Sequence, residues 1–105
     1  VSGGQNIYST EVEAALFAHP DIIDAAVIGV PNEKYGEVVK ACIVKKEGSN
    51  LTEDDVINFC KDRIASYKKP QSIDFIDEVP RNASGKVLKK VLREPYWKDQ
   101  DRQVS

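Results

Sequence analysis

Ile22-Ile23-Asp24-Ala25-Ala26-Val27-Ile28-Gly29-Val30 is the stretch around which the rest of the chain takes its place. Five of these nine residues are β-branched, and such side chains fit a pleated surface better than a helix. The stretch predicts a strand. Pro31-Asn32-Glu33-Lys34-Tyr35-Gly36 follows as a turn or loop. Residues 38–46 predict a second strand, joined closely enough to the first to pair with it antiparallel. Upstream, Thr10-Glu11-Val12-Glu13 has the form of a capping box, with Val12, Ala15 and Leu16 at helical spacing. That pattern predicts a helix over 10–18, closed by Pro20.

Downstream, Gly48-Ser49-Asn50 breaks the second strand. Thr52 then predicts a helix cap, with Asp55 at the third position and acids in the first turn against the helix dipole. The apolar stripe of this helix is Val56, Phe59, Cys60, the stem of Arg63, and Ile64. Ser66-Tyr67-Lys68-Lys69-Pro70 reads as a basic connector, and residues 73–79 alternate as a third strand. Pro80-Arg81-Asn82-Ala83-Ser84-Gly85-Lys86 reads as a loop. Val87, Leu88, Val91 and Leu92 share one face of a short final helix, with a frayed tail after Glu94 that Tyr96 and Trp97 anchor. The order helix, strand, strand, helix, strand, helix predicts an α+β fold: a small sheet of about three strands packed with helices.

Composition narrows the function. The chain has 105 residues, 15 basic and 17 acidic, for a net charge of −2. That is one domain with a modest core, too short for an enzyme with its own deep cavity. No apolar run approaches a membrane span. The opening Val1-Ser2-Gly3-Gly4 has neither the basic stretch nor the apolar core of a secretory signal, and a start without Met predicts a fragment of a longer protein. Cys42 and Cys60 have no second cysteine or histidine at a ligand spacing, so they predict reduced, half-buried thiols. His19, before Pro20, reads as a helix-end residue. No metal site is expected.

Charge is uneven. Residues 61–93 carry a net +5 and the remainder −7, which points to a locally anionic ligand rather than bulk polyanion binding. Within that basic half, Gly85-Lys86 stands in a loop that opens a helix. Glycine permits a backbone conformation that other residues resist, and lysine near pH 7 is a fixed positive charge rather than a base. Such a charge suits a phosphate or a developing oxyanion. A P-loop needs glycine where Pro80 stands and Ser or Thr where Val87 stands, so that reading fails. Taken alone, Gly-Lys reads more readily as a solvated loop lysine.

The wider context resembles the adenylate-forming superfamily, which joins acyl-CoA synthetases, nonribosomal-peptide adenylation domains and luciferases. Pro80-x-x-x-x-Gly85-Lys86, followed by Leu88-Lys89-Lys90 and Leu92-Arg93, is similar to its C-terminal signature. Gly3-Gly4-Gln5-Asn6-Ile7-Tyr8-Ser9-Thr10-Glu11-Val12-Glu13 resembles the loop and helix that open its C-terminal domain. Pro31-Asn32-Glu33-Lys34-Tyr35-Gly36-Glu37 and Tyr67-Lys68-Lys69-Pro70 fit between them in the right order. Residues 79–86 are most similar to acyl-CoA ligases, and Leu92-Arg93-Glu94-Pro95-Tyr96-Trp97 is similar to fatty-acyl members.

The resemblance implies an enzyme that uses ATP, with Mg2+ on an absent N-terminal domain, to adenylate a carboxylic acid. The acyl group then passes to coenzyme A. Residues 1–94 would be the mobile C-terminal lid and 95–105 a tail, inactive without the N-terminal adenylation domain as partner. Lys86 matches the catalytic lysine. Gly3 and Gly4 match the loop lining the pantetheine tunnel, although a plain turn explains them too. Asn6 matches a polar amide facing the active site, and Gly85 accompanies the lysine. Arg81, Lys89 and Lys90 would meet CoA phosphates or acids of the N-terminal domain, or form a solvated basic face. The implied location is cytoplasmic. Two rivals stand: the lid of an aminoacyl-adenylating domain serving a carrier protein, and a non-enzymatic module docking an acidic partner. Nucleic acid is not expected, because the aromatics are not interleaved with the basic residues.

Overall fold

Two apolar clusters on opposite sides of one sheet hold the chain together, and the first strand contributes to both. The computed structural model describes residues 7–34, 36–64 and 70–104. The elements in chain order are α1 (Ile7–Phe17), β1 (Ile22–Asn32), β2 (Gly36–Lys45), α2 (Glu53–Lys61), β3 (Ser72–Phe75) and α3 (Lys89–Val104). The expected α+β order holds.

The sheet runs β1-β2-β3. β1 and β2 are antiparallel, with Val30 opposite Val38 and Ala26 opposite Cys42, and the register shifts between Ile22 and Asp24. β3 pairs parallel to β2, which is why α2 must intervene to return the chain. Ala25, Val27, Ala41, Ile43 and Ile73 face α1 and α2, where Val12, Leu16, Val56 and Cys60 pack. Ala26, Ile28, Val30 and Cys42 face the other way, toward Val79 and Leu92. Covering on both faces explains the apolar run from Ala25 to Val30 in β1.

Several boundaries differ from the sequence reading. α1 begins at Ile7, so Thr10 lies inside the helix rather than capping it. β1 continues through Pro31 to Asn32, and β3 stops at Phe75, with only Ile76 N–H still reaching Ile43 O at 2.8 Å. α3 starts two residues after Val87 and runs on through Pro95. Val87 is instead paired with Arg81 in an antiparallel bridge, which holds it out of the helix. Thr52 does cap α2: its hydroxyl accepts from Asp55 N–H at 3.2 Å while the Asp55 carboxylate accepts from Thr52 N–H at 3.1 Å.

Both cysteines are free and fully buried rather than half-buried, Cys42 on one side of the sheet and Cys60 on the other. His19 sits just past α1; its Nδ1 accepts from Asp21 N–H at 3.0 Å and its ring meets Phe59 edge-on. Among the described residues, no helix is long and apolar enough to cross a membrane.

Candidate functional site

Residues 80–88 form a tight hairpin between two buried anchors, Val79 and Leu92. Leu88 N–H donates to Pro80 O at 2.9 Å and Asn82 N–H to Lys86 O at 3.0 Å, closing its two arms. Gly85 N–H donates to Asn82 O at 2.9 Å across the turn. The Asn82 side chain fills the inside of the loop. Its Oδ1 accepts from Ser84 N–H, the Ser84 hydroxyl and Lys86 N–H, all within 3.0 Å. Gly85 has φ of 88°, a left-handed conformation that disfavours any side chain. Lys86 follows at once, so the turn places the lysine at the exposed end of the returning arm.

Of the expected site residues, the structure brings Arg81, Gly85 and Lys86 together in this hairpin. Among the described residues the Lys86 ammonium has no ion-pair partner. Arg81 is engaged inside the chain: one end of its guanidinium donates to Gly85 O at 2.9 Å and the other to Asp24 Oδ1 at 2.8 Å. It ties the loop to β1. Lys89 is also turned inward, 3.0 Å from the Glu13 carboxylate and largely buried. Lys90 is exposed and, with Val91, Arg93, Glu94, Trp97 and Lys98, lines an open depression of about 440 Å³ along α3. Gly3, Gly4 and Asn6 lie outside the described residues, as does the Tyr67-Lys68-Lys69 segment.

The sequence reading passed over the outer side of β1, which is the terminal strand of the sheet. Three of its main-chain groups are taken by side chains. Ala25 N–H donates to Asp24 Oδ1 at 2.9 Å, Val27 N–H to Glu13 Oε2 at 2.8 Å, and Gly29 O accepts from Trp97 Nε1 at 2.9 Å. Asp24 and Glu13 are the same carboxylates that hold Arg81 and Lys89. An acid inside an otherwise apolar strand was the visible signal at Asp24. Glu13 carried none, because its partners lie 14 residues or more away.

Among the described residues no group of three or more His, Cys, Asp or Glu side chains could hold a metal ion. Three aromatics are engaged by other groups of the chain: Phe75 lies under the Lys45 ammonium, Tyr96 under that of Lys40, and Trp97 is bonded to β1.

The family model described as the AMP-binding enzyme C-terminal domain matches residues 11–86. Over 94 residues the chain is 54% identical to the 3-[(3aS,4S,7aS)-7a-methyl-1,5-dioxo-octahydro-1H-inden-4-yl]propanoyl:CoA ligase of Rhodococcus jostii (strain RHA1), covering 90% of this chain and 18% of that ligase. It is 41% identical over 96 residues to the long-chain-fatty-acid–CoA ligase FadD13 of Mycobacterium tuberculosis, covering 91% of this chain and 19% of the relative. Apo MatB from Rhodopseudomonas palustris has the same fold at a TM-score of 0.82 and 40% identity, covering 94% of this chain and 20% of that one. The chain thus spans about a fifth of the length of the relatives it matches.

Proposed function

Because the chain belongs to the AMP-binding enzyme C-terminal domain family, we propose that it is the C-terminal domain of a longer AMP-forming ligase joining a carboxylic acid to coenzyme A. The observation that carries this reading is the Lys86 ammonium, exposed and without an ion-pair partner among the described residues, on a hairpin fixed from inside by Asn82.

In the first half-reaction a carboxylate oxygen bonds to the α-phosphorus of ATP and pyrophosphate leaves. Two anions must meet, and their repulsion opposes the approach. Lys86 supplies a positive charge between them and stabilises the charge of the transition state, a contribution commonly worth about 10²–10³ in rate. In the second half-reaction the CoA sulfur bonds to the acyl carbon and AMP departs with its phosphate oxygen. Gly3 and Gly4 would then line the path of the pantetheine arm, with Asn6 facing the site. ATP and its Mg2+ would be held mostly by the N-terminal portion that the relatives carry. Lys90, Arg93 and Lys98 give α3 a basic face toward anionic groups of that portion or of CoA.

A fatty acid is the finer reading of the substrate, supported by the likeness of residues 92–97 to fatty-acyl members and by the name of the mycobacterial relative. The more similar Rhodococcus ligase bears a different acyl name, so the class shared by both is a carboxylic acid.

The test joins this chain to the N-terminal portion its relatives carry and compares wild type with Lys86→Ala in separated half-reactions. Acid-dependent ATP–pyrophosphate exchange should fall about 10²–10³-fold, while thioester formation from preformed acyl-adenylate is largely kept. Survival of both reactions would make Lys86 an ordinary loop lysine and sink the reading.

A further inference from the structure

The loop that carries Lys86 has little of its own to aim it. Residues 81–86 are all exposed; the next residue, Val87, is half-buried against the Val79–Leu92 cluster and fastens only the returning arm. Hydrogen bonds within the hairpin fix its shape but not its tilt against the sheet. Two ion pairs reach from it to the rest of the fold. Arg81, five residues before Lys86, is bonded to Asp24, and Lys89, three residues after it, is bonded to Glu13.

Both acceptors are themselves fixed. The Asp24 carboxylate also takes Ala25 N–H, and the Glu13 carboxylate also takes Val27 N–H. The two braces therefore end on main-chain amides two residues apart on one strand, about 7 Å along it. One attachment would leave the hairpin free to pivot; two on either side of the lysine stop that pivot. Arg81 adds a second constraint by holding Gly85 O, the carbonyl immediately before Lys86.

We propose that Asp24 and Glu13 are positioning residues for adenylation, acting through Arg81 and Lys89 to aim the Lys86 ammonium from the outer edge of β1. The inference rests on the reading of Lys86 given above. A lysine charge acts on a transition state only when it is held where the charge develops, and displacement by about 1 Å can cost about 10²-fold. The Arg81–Asp24 pair is partly exposed and such pairs contribute little to global stability, so that brace is read in kinetics rather than in melting; Lys89 is largely buried, so Glu13→Gln also lowers the melting midpoint.

The experiment uses Asp24→Asn and Glu13→Gln, singly and together, in the longer protein. Each amide keeps an oxygen for its main-chain N–H and loses the charge that holds its cation. We expect ATP–pyrophosphate exchange to fall about tenfold in each variant through kcat, with KM for ATP little changed. Thioester formation from preformed acyl-adenylate should be retained in every variant and the melting midpoint in Asp24→Asn, and Asp24→Glu should recover part of the loss. Unchanged exchange in the double variant, or an equal fall in both half-reactions, overturns the proposal. Lys86→Ala run beside them separates the two failures: if it abolishes exchange and the brace variants do not, only the brace is wrong. Should the longer double variant fold poorly, the two single variants decide instead, and unchanged ATP–pyrophosphate exchange in both overturns the proposal.

Discussion

Trp97 donates its indole N–H to the carbonyl of Gly29 at 2.9 Å, joining α3, past its proline, to the outer side of β1. Pro95 removes one helical hydrogen bond, yet α3 runs on to Val104. The residues after the proline are held by tertiary contacts: Tyr96 packs on the Val30 side of the sheet and Trp97 is tied to the strand.

Trp97→Phe keeps most of the ring and removes only the donor. It should cost about 1 kcal/mol, the usual net worth of one such hydrogen bond. A urea titration would show this as a lower midpoint with an unchanged slope. A wild-type midpoint in the variant would mean that ring packing alone holds this end of the helix.

The two-sided core predicts a sharp contrast between neighbouring isoleucines. Ile43 is fully buried on β2, the middle strand of the sheet, whereas Ile23 is 60% exposed. Ile43→Ala should destabilise the chain by about 2–5 kcal/mol, the range for a buried large-to-small change. Ile23→Ala should fall within about 0.5 kcal/mol of wild type. Equal losses at the two sites, measured by urea unfolding, would contradict the burial assigned to β2.

How far the sequence could be read follows from how local each signal was. The Thr52 box was legible because Thr52 and Asp55 are each other's partners, three residues apart. Thr10-x-x-Glu13 carries the same pattern but does not form the same structure. Its glutamate faces Val27 and Lys89, partners that no short pattern displays. The Gly85-Lys86 loop was legible by its glycine and its charge. Its braces were not, because Asp24 lies 57 residues from Arg81. Pro95 is a local stop signal that makes the sequence predict a short final helix, and the contacts that override it are distant. The third strand was read long because alternation persists to Val79, whereas pairing with β2 ends soon after Phe75.

The buried thiols give the fold an alkaline weakness. Burial pushes the Cys42 thiol up to about 11 from an ordinary value of 9.0; nearby Asp74 adds to the rise and Lys40 opposes it. Burial also raises Cys60, against the opposing charge of Arg63. A thiol that resists ionising only when folded contributes no pH dependence below about 9. As pH rises from about 9 to 11 the unfolded chain releases the proton first, so stability falls. Cys42 alone supplies a slope of up to about 1.4 kcal/mol per pH unit in that window. Cys42→Ala should flatten the fall in melting midpoint between pH 9 and 11, and wild-type Cys42 should resist alkylation at pH 8. An unchanged alkaline slope in the variant would count against the burial assigned to this thiol.

Gly85 makes the last prediction, because its backbone and its surroundings can be separated. Its φ is 88°, and a Cβ placed there would meet nothing within 4 Å. Any cost of a side chain is therefore conformational rather than steric crowding by neighbours. Gly85→Ala should lose about 1–2 kcal/mol, the penalty for holding an L-residue in the left-handed region. Gly85→Asn should lose less, since asparagine visits that region more readily. Alanine has a second way out, which is to let the turn relax and turn the Lys86 arm away from the Asn82 carboxamide. In that event the stability loss would be small and the Lys86 amide would lose its protection from hydrogen exchange. Measuring both quantities on the same variant tells strain from relaxation. A small loss with full protection would show that position 85 does not require glycine.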